Sequence, residues 1–102
     1  MALKFLEKAI TFDLPRHEES FGTADFKFDK KIISAEAAIS QWGIHTTDSD
    51  SIHMIEASIK KVDIDFDSNS VKVTGHLLFR GYWHSIIPTS SMKVVVFAWC
   101  ED

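Results

Sequence analysis

At 102 residues the chain has the size of one domain, read as residues 1–102, with no room for a second. Its 45% hydrophobic content, with eight Phe and three Trp, provides for a self-sufficient core of the kind a domain this long needs. A formal charge of −4, with no run of Lys or Arg longer than Lys30-Lys31 or Lys60-Lys61, argues against a nucleic-acid or anionic-membrane surface.

Taken in chain order, the first stretch, Ala2 to Ala9, has Leu3, Leu6 and Ile10 at helical spacing and is expected to form at most a short helical turn. Glu7 and Lys8 interrupt its apolar run, so it does not read as a signal peptide, and no segment approaches a membrane span. The expected compartment is the cytoplasm. "AITFDL" then alternates Ile10, Phe12 and Leu14 until Pro15 ends it, and "ADFKFDKKI" offers Phe26 and Phe28. "EAAISQWGIHT" sets Ala38, Ser40, Trp42 and Ile44 against Ala37, Ile39 and Gln41.

In "IHMIEASIKKVDIDF" the apolar parity changes, from Ile55, Ala57 and Ile59 to Val62, Ile64 and Phe66. Side chains of a strand alternate strictly, so both sets reach one face only through a bulge or kink at Lys60-Lys61. The next segment is the clearest strand. Val71, Val73, Gly75, Leu77 and Phe79 form one row, and Lys72, Thr74, His76 and Arg80 form the other, interrupted by Leu78. "SMKVVVFAWC" is apolar on both rows: Met92, Val94, Val96 and Ala98 on one, Val95, Phe97 and Trp99 on the other. Such a strand needs cover on both sides. One side faces the opposing sheet; the other is covered by a loop, by residues 1–14 or by a second copy of the chain.

Polar connectors "RHEESFGT", "TTDSDS", "DSNS" and "GYWHSIIPTSS" separate these segments. The expected fold is all-β, a small antiparallel β-sandwich of about six or seven strands.

Little of the sequence reads as catalysis. Asp63, Asp65 and Asp67 resemble a calcium loop, but counting from Asp63 the position that needs Gly holds Ser68, and the twelfth holds Thr74 where a bidentate Glu belongs. The stretch reads as a solvated strand edge running into a hairpin at "DSNS". A minor calcium-dependent reading remains, in which Asp48 and Asp50 meet Asp63 to Asp67 at one end of the sandwich. The five His residues have no zinc-ligand spacing, although a hairpin at "TTDSDS" would bring His45 near His53. No nucleophile elbow or Gly-rich phosphate loop is present, and the lone Cys100 excludes an intrachain disulfide. No enzyme activity, cofactor or resident metal is expected.

"RGYWHS" is the stretch best suited to binding. Arg80, Tyr82, Trp83 and His84 bring planar, hydrogen-bonding groups together after the clearest strand. The alternative role for Trp83 is to plug the open end of the sandwich.

"AAISQWGIHTTDSD", "IHMIEASIKKVDID", "VKVTGHLLFR", the Trp-containing loop and the terminal "VVVFAWCED" together resemble the H-type lectins over residues 35–102. Those are small six-stranded sandwiches that trimerise and bind N-acetylgalactosamine-type sugars. The resemblance implies a homo-oligomer, a trimer, and a carbohydrate held by Trp83 and His84, with Asp48 or Asp50 as the acidic contact. Here the Tyr82–Ser90 loop is longer than the family's, and His53 and Glu56 stand where it has a basic residue. Two functions are therefore expected. One is a non-catalytic, self-assembling binding module for a carbohydrate. The other is a structural or protein-interaction subunit of a larger assembly with no small-molecule ligand.

Overall fold

The computed structural model describes residues 1–12, 19–45, 52–81 and 89–102. Among them are six strands: β1 (Ala2–Phe12), β2 (Glu19–Lys27), β3 (Ile32–His45), β4 (Ile52–Asp65), β5 (Ser70–Gly81) and β6 (Thr89–Cys100). They pair antiparallel in two three-stranded sheets, ordered β1–β6–β3 and β2–β5–β4. The all-β expectation is met. No helix occurs in the described residues, and none of them forms a helix long and apolar enough to cross a membrane.

The expected N-terminal helical turn is replaced by β1, which pairs with β6 from Ala2↔Cys100 to Phe12↔Ser90. Leu6 and Ile10 share the row turned toward the other sheet, whereas Leu3 lies on the opposite row, so their spacing of three and four carries no helical face. A continuous eleven-residue ladder outweighs the weak helical preference of a single turn. β2 likewise starts earlier than the sequence suggested, taking in Glu19 to Thr23 from the stretch read as a connector.

The inner rows of the two sheets make the core. Met92, Val94, Val96, Ala98 and Cys100 of β6 are fully buried, against Val71, Val73 and Leu77 of β5, with Phe26, Phe12 and Ile32 filling the sides. Each large aliphatic side chain removed from water in this way contributes about 1.5–3 kcal/mol. Cys100 acts here as a small apolar residue, sealed between the sheets.

Two of the four register shifts in these ladders bear directly on the expected rows. Pairing of β4 with β5 passes from Ile59↔Gly75 to Lys61↔Thr74, leaving Lys60 as the extra residue. Ala57, Ile59, Val62 and Ile64 consequently all pack against the core despite their change of parity. The kink expected at Lys60-Lys61 is there. In β3 the register shifts at Ser40, between Ile39↔Val94 and Gln41↔Lys93, so the uniform row Ala38, Ser40, Trp42, Ile44 does not exist. Trp42 lies opposite Met92, in step with Ile39 opposite Val94.

The edge strand β1 is guarded. On the inner row of β1, Lys4 and Lys8 reach out through the open side of the sandwich to β2 and the turn after it. Lys4 Nζ lies 3.2 Å from Asp29 Oδ1, while Lys8 donates to the Asp25 carbonyl and lies 5.6 Å over the Phe26 ring. Inward-pointing charge on an edge strand discourages pairing with another chain along that edge.

Candidate functional site

The strand ends decide which connectors are neighbours. At one end of the sandwich His45 of β3 pairs with Thr89 of β6, and Phe12 of β1 with Ser90. In the other sheet, at the same end, Ile52 of β4 pairs with Gly81 of β5 and Glu19 of β2 with Leu78. Segments 46–51 and 82–88 are therefore both anchored there. Asp48, Asp50, Tyr82, Trp83 and His84 belong to those segments and lie outside the described residues. The backbone of Arg80 sits opposite Met54 in the last rungs of β5, and its side chain also lies outside them. Topology brings the anchors of these six candidates to one end.

The same topology separates the flanks of the two acidic segments in the calcium reading. Asp65 and Ile52 are opposite ends of the fourteen-residue β4, about 44 Å apart at 3.4 Å per residue. His45 and Ile52, which flank Asp48 and Asp50, therefore sit at the opposite end of β4 from Asp63 to Asp67, and Asp48 and Asp50 themselves lie outside the described residues. The "DSNS" hairpin is as expected: Asp65 Oδ1 accepts the N–H groups of Asp67 at 3.0 Å and Ser68 at 3.3 Å, and Asn69 takes the left-handed conformation, φ 55°. The Ser68 hydroxyl, with the N–H groups of Ser68 and Asp67, holds the Asp65 carboxyl below the usual range. No group of three or more His, Cys, Asp or Glu is close enough to hold a metal among the described residues. His45 and His53 are not hairpin neighbours, because β3 and β4 belong to different sheets.

The outer face of the β1–β6–β3 sheet is the other feature that calls for a role. Cross-strand registration sets Leu3 beside Trp99 and Ser34, then Phe5 beside Phe97 and Glu36, then Glu7 beside Val95 and Ala38. Phe5 is 56% exposed, Trp99 45% and Leu3 39%, and the Phe5 and Phe97 rings meet edge to face with centroids 5.3 Å apart. Ser34, Ala35, Glu36, Phe97 and Trp99 line a notch of about 210 Å³. Residues 2–12 lie beside β6 as a strand and do not roof this face, so one of the three covers expected from sequence is removed. Toward the other end the face becomes small and polar, with Ala9, Lys93, Gln41 and Ser91. There Ser40 Oγ donates to Glu7 Oε2 at 2.7 Å and contacts the Lys93 carbonyl oxygen at 3.2 Å. The side chains of Glu36 and Lys93 have no hydrogen-bond or ion-pair partner among the described residues.

The outer face of the β2–β5–β4 sheet is largely polar apart from Leu78 and Phe21, and one of its polar residues is covered. His76, expected in water with Lys72 and Thr74, is only 4% exposed. Phe21 of β2 stands directly opposite and tilts onto it, ring centroids 4.8 Å apart, and Ser58 Oγ lies 3.4 Å from His76 Nδ1 on the other side. Phe21 was hidden from sequence reasoning inside a stretch that reads as a turn.

Among known proteins, no family model, no curated protein and no solved structure matches this chain.

Proposed function

We propose that this chain is a non-catalytic β-sandwich binding module that assembles with copies of itself through the outer face of the β1–β6–β3 sheet. One observation carries the reading. Leu3, Phe5, Phe97 and Trp99 form a contiguous apolar surface on the far side of a sheet whose near side is already the core. A lone chain in water gains nothing from such a surface, and patches of this kind mark contact sites. The ligand on this reading is a carbohydrate. Tyr82, Trp83 and His84 stack on its apolar face, while Arg80, Asp48 and Asp50 bond its hydroxyls. Support for the ligand comes from the shared end of the sandwich to which 46–51 and 82–88 are anchored. The likeness to H-type lectins adds weight to it, although a six-stranded sandwich is compatible with many functions.

Light scattering across a concentration series tests the assembly. Several chains per particle are expected, and a single chain at every concentration removes the reading. Titration with N-acetylgalactosamine and a monosaccharide panel, followed by Trp fluorescence and joined to a glycan array, tests the ligand. With assembly present and no sugar bound, the chain is a structural or protein-interaction subunit, the role that the apolar face supports on its own.

A further inference from the structure

The outer face of the β1–β6–β3 sheet is graded along its strands. Large side chains (Leu3, Phe5, Phe97, Trp99) occupy one half, and the other half holds Ala9 and Ser91 with the long but slender Lys93. Val95 and Ala38 mark the middle. Its two charged side chains without a partner among the described residues have opposite sign and sit in opposite halves, Glu36 level with Phe97 and Lys93 two outward positions along β6.

We propose that a second copy packs face to face on this sheet with its strands antiparallel, about a two-fold axis passing near Val95, so that Lys93 of each chain meets Glu36 of the other. This geometry rests on the self-assembly reading and gives it a contact.

Two features favour it over a parallel stacking. Layers interdigitate when large side chains face small ones. The antiparallel arrangement sets Trp99 over Ser91, Phe5 over Ala9 and Phe97 over the aliphatic stem of Lys93, whereas a parallel one sets Trp99 on Trp99 and Phe97 on Phe97. Charge is the second. Antiparallel copies bring each Lys93 ammonium to a Glu36 carboxylate beside two aromatic faces, and a parallel pair brings Lys93 to Lys93. Glu7 lies level with the axis, but its bond to Ser40 carries its carboxylate across β6 and away from the Glu7 of the second copy. Area sets how much of the face takes part. Three strands about 40 Å long at about 4.8 Å spacing offer on the order of 560 Å² before side-chain relief, against about 800 Å² per partner in a standard interface. Overlap of the whole face approaches that need; contact through the apolar half alone falls far short.

The test uses the full chain. The wild type is expected to be two chains by light scattering. Glu36→Lys and Lys93→Glu, each setting like charge against like, are expected to weaken dimerisation about tenfold or more, and the double variant to restore it. Val95→Cys is expected to form a disulfide-linked dimer on oxidation, and Trp99→Cys is not, because two-fold partners are close only near the axis; this pair decides the matter should the charge variants misfold. Single variants without effect on a two-chain particle, or a double variant that stays weak, overturn the Lys93–Glu36 contact and leave self-assembly standing. Efficient cross-linking of Trp99→Cys, or a particle of three chains as the lectin likeness implies, overturns the two-fold in the same way. A wild type that stays a single chain removes both.

Discussion

Gly22 and Gly75 face each other across the β2–β5 ladder, and the space above them is filled from the opposite sheet by Ile10, Phe12 and Met92. A Cβ added at Gly22 would stand 2.5 Å from Ile10 Cγ2 and 3.2 Å from Phe12 Cε1. At Gly75 the nearest atom would be Met92 Sδ at 3.0 Å. The two glycines let the sheets approach at this point, a requirement that comes from across the sandwich and not from the turn chemistry usually read into Gly.

Gly22→Ala is therefore expected to destabilise the fold by about 1–3 kcal/mol, the range for overpacking a tight interior. The methyl it meets belongs to a β-branched side chain with few rotamers to retreat to. Gly75→Ala should cost less, because flexible Met92 can yield. Urea unfolding of the two variants checks the order; equal losses would show that the backbone, not Ile10, absorbs the strain.

Core and outer-face aromatics should separate cleanly. Phe26 is fully buried and Phe5 is 56% exposed, so Phe26→Ala should lose about 3–5 kcal/mol while Phe5→Ser changes single-chain stability by less than about 1 kcal/mol. On the self-assembly reading Phe5→Ser also lowers the particle mass. Urea midpoints measured at high dilution, paired with light scattering at high concentration, read the two effects apart.

How far the fold was legible depended on whether a residue's partner was near in the pattern. The alternation of Val71, Val73 and Leu77 placed β5 without ambiguity, and the parity change between Ile59 and Val62 located the bulge at Lys60, because a buried row constrains register tightly. β1 was obscured by Lys4 and Lys8, which stand on its inner row and find Asp29, in the turn after β2, and the Asp25 carbonyl of β2. Phe21 and Gly22 read as turn residues, yet one covers His76 and the other admits Ile10. The six candidate binding residues showed the same limit. Their type was readable from "RGYWHS" and "TTDSDS", but the common end of their anchors follows from pairings between segments far apart in the chain.

The β4–β5 hairpin should respond to acid. Hydrogen bonds from Ser68 and Asp67 hold the Asp65 carboxyl below its usual range, so its folded value lies below its unfolded one. The stabilisation is then present above about pH 4 and is lost as pH falls through the folded value. Asp65→Ala removes it at all pH. The gap in melting temperature between wild type and variant is expected at pH 7 and should close as pH falls below the folded value; a gap that persists in strong acid would mean that packing, not the carboxylate, sets it.

Lys60 offers the sharpest contrast between a side chain and a position. Its side chain is exposed, without a hydrogen bond or ion pair among the described residues, so Lys60→Ala should fall within about 0.5 kcal/mol of wild type. Deleting the residue is another matter. The bulge is what lets Ala57 and Ile59 share the core with Val62 and Ile64. Without the extra residue, one of these two sets must turn to water, because a one-residue slip moves every side chain of a strand to the opposite face. The first set includes Ile59 and the second Ile64, so either slip strips apolar cover from one half of β5, over Gly75 and Leu77 or over Val71 and Val73. Loss of cooperative urea unfolding and of the β-sheet circular dichroism signal is expected for the deletion, while the Ala variant keeps both. If the deletion instead folds with near-native stability, the ladder has re-formed in a different register, and the bulge is not what holds β4 in place.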